Sequence, residues 1–415
     1  MGVYEVLFKF KDTCGAYLGT ESTHPYAQGF PLTSPLPDGP SIPLSIDFTY
    51  ADLKYPAATG EQVLLNAIRD YYNHFYGSSI TTDNICVFAG GRPAIYATLA
   101  FLKHNVKVLV EETEYTPYWD ALNNLKRKYQ VIPSNESNRF RPTLDTYRRA
   151  VYGDESVMLL KSNPSNPTGV TWGGDQLREM VDFFSEEGRG AIFDEAYEFF
   201  TTGEPQSAMR YVRDLDASNI FVVSAATKGL QAPGLRVGWI VASKKNIELF
   251  RNFSSIAMGG VARPSQLCAA KLLDIPRVRL ARDAVVAFYC HQRARYGAIL
   301  RSLGFELFSG DGGFYHWARL PHGLTADEFN ERLFQHKAAI LPGQLCDMFR
   351  RGPVSPHSRF IRFSFGPLPP EAFDNDVAIL RACLPEHVHD VVDREHQLHS
   401  SSHAVEHSSH SHSSH

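Results

Sequence analysis

Three short runs of this chain set amine, guanidinium, carboxylate and amide groups where one flat, phosphorylated ligand would meet them all. In VVSAATKGLQAPGLRVGW, Lys228 follows a β-branched run and Arg236 comes eight residues later, within a glycine-containing turn that lets backbone approach a ligand. A lysine amine near an arginine suits a phosphorylated aldehyde, since the amine can add to the carbonyl carbon while the guanidinium pairs with phosphate. In AIFDEAYEFF an apolar run delivers Asp194 at its end and Tyr197 three residues on; a carboxylate there can pair with a protonated ring nitrogen. In KSNPSNPTG, Asn166 stands between prolines that restrict the loop, and its amide can donate to an oxygen of the same ligand. Together these groups can surround one pyridine ring. Each has a plainer reading alone: Lys228 and Arg236 as solvated cations, Asp194 as a helix cap, Asn166 as the closure of a turn. Their combination favours a ligand.

Such groups need strands to deliver them. The runs VKVLVEE, SVMLLKS, GAIFDEA, NIFVVSA and LRVGWIVAS alternate with amphipathic stretches, after a helical stretch from Gln62 to Tyr76. That alternation predicts a mainly parallel sheet covered by helices, and the motifs fall at strand ends, where free backbone groups face a crevice. Beyond about Ile256 the pattern changes to long helical stretches followed by GGFYHWARL and RFIRFSFG, read as strands of a smaller α+β domain. Between Thr20 and about Ser45 the chain is rich in Pro, Gly and Ser, as suits an extended segment lying across a surface, one able to cover a site. From His387 onward a His/Ser mixture with almost nothing to bury reads as a disordered tail, and no metal ligands are assigned to it. The chain has 415 residues and a formal net charge of -4, so it can bury a large core and carries no basic stripe for nucleic acid. Its six scattered cysteines lack zinc spacing and read as reduced thiols of a cytoplasmic protein. No apolar run approaches membrane-spanning length, and MGVYEVLFKFKD carries charge where a signal peptide needs a hydrophobic stretch.

With SNPSNPTG, DEAY, the lysine followed by GLRVGW, and RFIRFSFG in this order, the chain resembles the class I/II aminotransferases of the pyridoxal 5'-phosphate (PLP) fold type I, from about Tyr55 to Phe365. The resemblance implies that Lys228 forms the Schiff base and shuttles the substrate α-proton. It implies that Asp194 keeps the pyridine nitrogen protonated, and that Asn166 and Tyr197 hydrogen-bond the phenolic oxygen and lower the imine pKa. FAGGRPAIYATLAFL reads as strand, turn and helix, so Gly91 and Arg92 present amides to the phosphate, joined by Arg236 and the hydroxyl of Thr227. Tyr115 matches the residue that stacks on the ring, with Tyr118 a candidate behind it. Tyr55 matches a tyrosine that reaches the phosphate of a neighbouring subunit, which implies a homodimer, and Arg362 matches the arginine that grips the substrate α-carboxylate.

The implied architecture is a seven-stranded, mainly parallel sheet in a large PLP-binding domain over residues 51–260. A small α+β domain over 261–386 accompanies it, with an N-terminal segment over 1–50 packing on that domain and the active site, and the tail over 387–415. The implied activity is transfer of an amino group from an L-amino acid to a 2-oxo acid through pyridoxamine phosphate. Two departures bear on this. Ala225 stands where the family often has a phosphate-binding hydroxyl, with Ser224 beside it, and the usual N-terminal glycine-containing substrate loop is not evident in IDFTYADLKY. They leave open a PLP-dependent lyase, cyclase or oxidase on the same fold. A non-catalytic PLP-binding regulatory module is a third reading, disfavoured by the intact lysine and by the lack of a DNA-binding domain before Tyr55.

Overall fold

A computed structural model describes residues 2–385; the tail expected over 387–415 lies outside them. The large sheet consists of β1 (Ile85–Phe88), β2 (Lys107–Glu111), β3 (Tyr129–Ile132), β4 (Val157–Ser162), β5 (Arg189–Asp194), β6 (Ile220–Ala225) and β7 (Gly238–Val241). Their order across the sheet is β1-β7-β6-β5-β4-β2-β3, with every pairing parallel except those of β7, which runs antiparallel to both β6 and β1. A sheet covered on both faces needs apolar side chains in both directions, and β4 shows how the chain supplies them. Val157 and Leu159 join the core layer containing Leu177, Val181 and Phe184, whereas Met158 and Leu160 join the opposite layer containing Ile95, Leu99 and Phe250. The period-two rule assigns alternate residues to each face.

The fold class expected from the sequence is the one observed, including a second sheet of β8 (Glu306–Leu307), β9 (Tyr315–Arg319), β10 (Leu341–Pro342) and β11 (Phe360–Ser364). It is antiparallel throughout, in the order β10-β11-β9-β8. A 28-residue helix, Ile275–Ser302, joins the two regions; Asp274 caps its start and Pro276 suits its first turn. The helix α1 (Val3–Cys14) has no counterpart in the sequence reading. Its Val6 and Phe10 lie one turn apart and bury themselves with Trp317, Leu341 and Phe360 of the small sheet, which explains why a helix with charged residues on its other faces settles there. The extended segment after it is anchored by Tyr26, whose hydroxyl donates to buried Asp376 at 2.6 Å, as does that of Tyr296 from the long helix. Burial pushes the Asp376 carboxyl up, and these two donors oppose that effect.

Three more helices position the site: α2 (Gln62–Tyr76), α3 (Gly91–Phe101) and α4 (Thr116–Asn124). α2 has the bounds expected from its periodicity and turns Leu64, Leu65, Ile68, Tyr71 and Tyr72 inward. α3 begins at a Gly-Gly turn in which Gly90 has a φ of 105°, a conformation open to glycine and strained for other residues.

Candidate active site

Parallel pairing brings the functional strand ends side by side. Ser162 at the end of β4 faces Asp194 at the end of β5, and Asp194 faces Val223, just before the end of β6. Asp194 is buried, receives the Tyr118 hydroxyl at 2.6 Å and the Ala196 amide at 3.2 Å, and has its carboxyl pushed up by burial against the opposing pull of these donors and Lys228. A carboxylate so placed gains most from a cation brought against it.

Lys228 lies in the turn after β6, half-buried, with its amine opening into a cavity of about 610 Å³. Removal from bulk water lowers its pKa to about 7, helped by the guanidinium groups of Arg362 and Arg92 and opposed by Asp194. Near neutral pH a large share of this amine is therefore an uncharged nucleophile. It donates to the Gly29 carbonyl and lies 5.5 Å from the centre of the Tyr197 ring.

Along the same wall, the Asn166 amide donates to the Tyr197 hydroxyl at 3.3 Å and accepts from Arg362 Nη1 at 3.1 Å. Arg362 Nη2 donates to the Ala27 carbonyl at 2.7 Å, and its buried Nε has no protein partner. The Tyr315 ring lies 4.2 Å below the guanidinium, and its hydroxyl bonds that of Tyr197. At the opposite end, Gly91 opens α3, whose first amides have no partner within the helix and suit an anion. Arg236, in the left-handed region with φ 53°, is held by bonds from its guanidinium to the carbonyls of Pro233 at 2.8 Å and Ala89 at 3.3 Å. The missing side chain of Gly90 leaves the space that this guanidinium occupies.

The cavity thus gathers Gly91, Arg92, Tyr115, Asn166, Asp194, Tyr197, Thr227, Lys228, Arg236 and Arg362, ten of the residues expected from the sequence. Tyr115 caps α4 and meets Tyr118 edge-on, with ring centres 5.3 Å apart. Tyr55 does not line the cavity and is 94% exposed. Ser224 and Ala225 both line it, but alternate residues of β6 face opposite sides of the sheet and the Ser224 side chain pairs with the Tyr72 hydroxyl, so the hydroxyl missing at Ala225 is not replaced by its neighbour.

The glycine-containing segment not evident in IDFTYADLKY has a counterpart upstream: Gly29 lies against Lys228, and a Cβ there would strike the Tyr315 hydroxyl. Its signal was present in AQGF, but only the path of the extended segment shows where it goes. Tyr315 and the face of α1 carrying Val3, Tyr4 and Leu7 were also missed as site components. A larger cavity of about 750 Å³, lined by Pro43, Asp47, Asp70, Cys268 and Lys271 among others, brings none of these groups together.

A family model described as aminotransferase class I and II matches residues 50–376. The chain is 25% identical over 300 residues to LL-diaminopimelate aminotransferase of Dehalococcoides mccartyi, covering 71% of this chain and 76% of the relative. It is 28% identical over 262 residues to aspartate aminotransferase of Pyrococcus abyssi, covering 62% and 67%. The structure is similar to that of Thermus thermophilus aspartate aminotransferase with maleate, at a TM-score of 0.76 and 19% identity over 92% of this chain and 97% of that one.

Proposed function

The chain belongs to the class I and II aminotransferases and is a PLP-dependent aminotransferase acting on amino and 2-oxo acids, and on that footing we propose the roles of its individual residues. The observation that carries them is the meeting of an amine of depressed pKa, Lys228, and a buried carboxylate, Asp194, in one cavity with an anion site at its far end. The donor set fits the cofactor: α3 amides, Arg236 and Thr227 for a phosphate, Asp194 for a ring N–H, and the Tyr115 ring for a flat face. When bound, PLP supplies an aldehyde for an amine and a ring that accepts the electron pair left as an α-proton departs.

Lys228 would hold the cofactor covalently, and its Nζ, once the substrate's own amine has displaced it from the cofactor, would be the base that takes the proton from the substrate α-carbon. Asp194 keeps a positive ring nitrogen in place, and the Tyr118 hydrogen bond fixes the carboxylate for this. Asn166 and Tyr197 donate toward the ring oxygen, and Arg362 takes the substrate α-carboxylate. The last assignment draws on the partnerless Nε, which an incoming carboxylate oxygen can satisfy. Ala27 and Gly29 supply carbonyls that hold Arg362 and Lys228 on the substrate side.

The working unit in this reading is a homodimer, with Tyr55 reaching the partner's phosphate site. Its support is the row of exposed Leu44, Phe48, Tyr50, Leu53 and Tyr55, an apolar strip that a second copy would cover. A cytoplasmic location is part of the same reading, supported by six free cysteines. Among the described residues no helix is long and apolar enough to cross a membrane.

The test is a single turnover of the loaded enzyme with a panel of L-amino acids, with products identified by mass. A 2-oxo acid appearing together with the amine form of the cofactor supports amino-group transfer at this site. An eliminated or cyclised product with the cofactor returned as aldehyde would replace it with the lyase or cyclase reading.

A further inference from the structure

Tyr315 stands beside the proposed machinery with no role in it. It opens β9 opposite Ser364 of β11, so it sits diagonal to Arg362 on one face of the small sheet, within reach of an aromatic ring and a long side chain. The 4.2 Å approach of guanidinium to ring follows from that register. Its hydroxyl is confined by Gly29, which has no Cβ to collide with it, and it bonds the Tyr197 hydroxyl.

A tyrosine hydroxyl has one proton to donate and two lone pairs to accept with. Tyr197 already accepts the Asn166 amide at 3.3 Å, leaving one lone pair and one proton to divide between Tyr315 and the cavity. If Tyr197 gave its proton to Tyr315, nothing would remain for a ligand oxygen. If Tyr315 gives its proton to Tyr197, both lone pairs of Tyr197 are filled and its own proton must face the cavity. The surroundings favour the second arrangement: burial raises both phenols and Arg362 lowers both, but the guanidinium lies directly over the Tyr315 ring at 4.2 Å, whereas the Tyr197 phenol is pushed well up, which leaves Tyr315 the better donor.

We propose that Tyr315 is a positioning residue for the transamination site: by donating to Tyr197 it completes that hydroxyl's acceptor capacity and fixes its proton toward the ring oxygen of the cofactor. The proposal rests on the assignment of Tyr197 above. Besides Tyr197, the charged or titratable groups facing Tyr315 are Arg362 from β11 and Cys346 from the turn after β10, with Lys228 and Tyr115 across the cavity.

The experiment titrates the absorbance of the loaded enzyme against pH in the native chain, Tyr315→Phe, Tyr197→Phe and the double variant. Phe keeps the ring under Arg362 and removes one oxygen, so the fold has little to lose; borohydride followed by peptide mapping shows that each variant still carries the cofactor on Lys228. A donor to the ring oxygen lowers the titration midpoint, so losing its orientation should raise it. Tyr315→Phe is expected to move the midpoint up by about half a unit to one unit, the equivalent of one ordinary hydrogen bond. Tyr197→Phe should move it further, and the double variant should match Tyr197→Phe alone, since Tyr315 acts only through Tyr197. A Tyr315→Phe midpoint equal to the native one overturns the role of Tyr315, as does full additivity in the double variant. If no pyridoxyl group is fixed on Lys228 in the native chain, the underlying assignment falls and this inference falls with it.

Discussion

The floor of the cavity and its substrate-side roof are built in different ways. The floor is made of strand ends: Asp194 and Lys228 sit at or just past the ends of neighbouring parallel strands, and Gly91 opens the helix after β1. The roof is assembled from distant pieces of chain: Gly29 from the extended segment, Val3 and Leu7 from α1, and Tyr315 and Arg362 from the small sheet. A sheet held by ladder hydrogen bonds and two core layers keeps its ends in register, so groups placed there are preorganised. A roof assembled from segments outside that sheet can vary with the substrate while the cofactor chemistry stays constant. Changes in the floor should therefore damage the chemical step, and changes in the roof, apart from Tyr315 with its contact to Tyr197, should redistribute binding.

The largest effect is expected for Lys228→Ala, which removes both the covalent anchor and the proton carrier; turnover should fall by at least about 10³-fold in a steady-state assay. Asp194→Asn keeps the shape and removes the charge, and should slow single-turnover amino-group transfer by about 10²- to 10³-fold. A smaller loss there would mean that the ring nitrogen gains little from the carboxylate.

In the roof, Arg362→Lys exchanges a two-pronged donor for a point charge, and should raise KM for the amino acid by about 10- to 100-fold with a smaller change in kcat. A fall in kcat alone would move Arg362 from substrate binding to the floor's chemistry. The native chain offers a test without mutation. Because the Lys228 amine titrates near 7, its neutral fraction declines below that pH. Stopped-flow capture of added PLP by the apoenzyme should slow about tenfold for each pH unit below 7. Capture that stays level down to pH 5 would show that the free amine is not the reacting form. The smallest effect belongs to Leu7→Ala on α1, which should change KM by about 3- to 10-fold and leave cofactor affinity unaltered. Loss of the cofactor from this variant would erase the proposed division between floor and roof.

How much of this was legible in the chain follows the same division. Strands β4, β5 and β6, helix α2 and the strand-turn-helix around Gly91 could be read directly, because period-two and period-3.6 patterns are local and the groups they present are neighbours in sequence. Ten candidate residues meet in one cavity, and those of the large sheet do so because they sit at or near strand and helix ends that their own segments specify, whereas Arg362 comes from the middle of β11. What could not be read are the pairings across long stretches of chain: Tyr118 with Asp194 over 76 positions, Tyr197 with Tyr315 over 118, and Lys228 with Gly29 over 199. Nothing in the residues around Gly29 says which side chain its carbonyl will meet, and α1 carries too short an apolar stripe to announce what it covers. The chain alone thus determined a parallel sheet with a lysine, an acid and an anion site at its strand ends. Only the tertiary packing decided which hydroxyls and carbonyls face that lysine, because such contacts depend on how separate elements approach one another, and hydrophobic burial, which drives that approach, is non-directional.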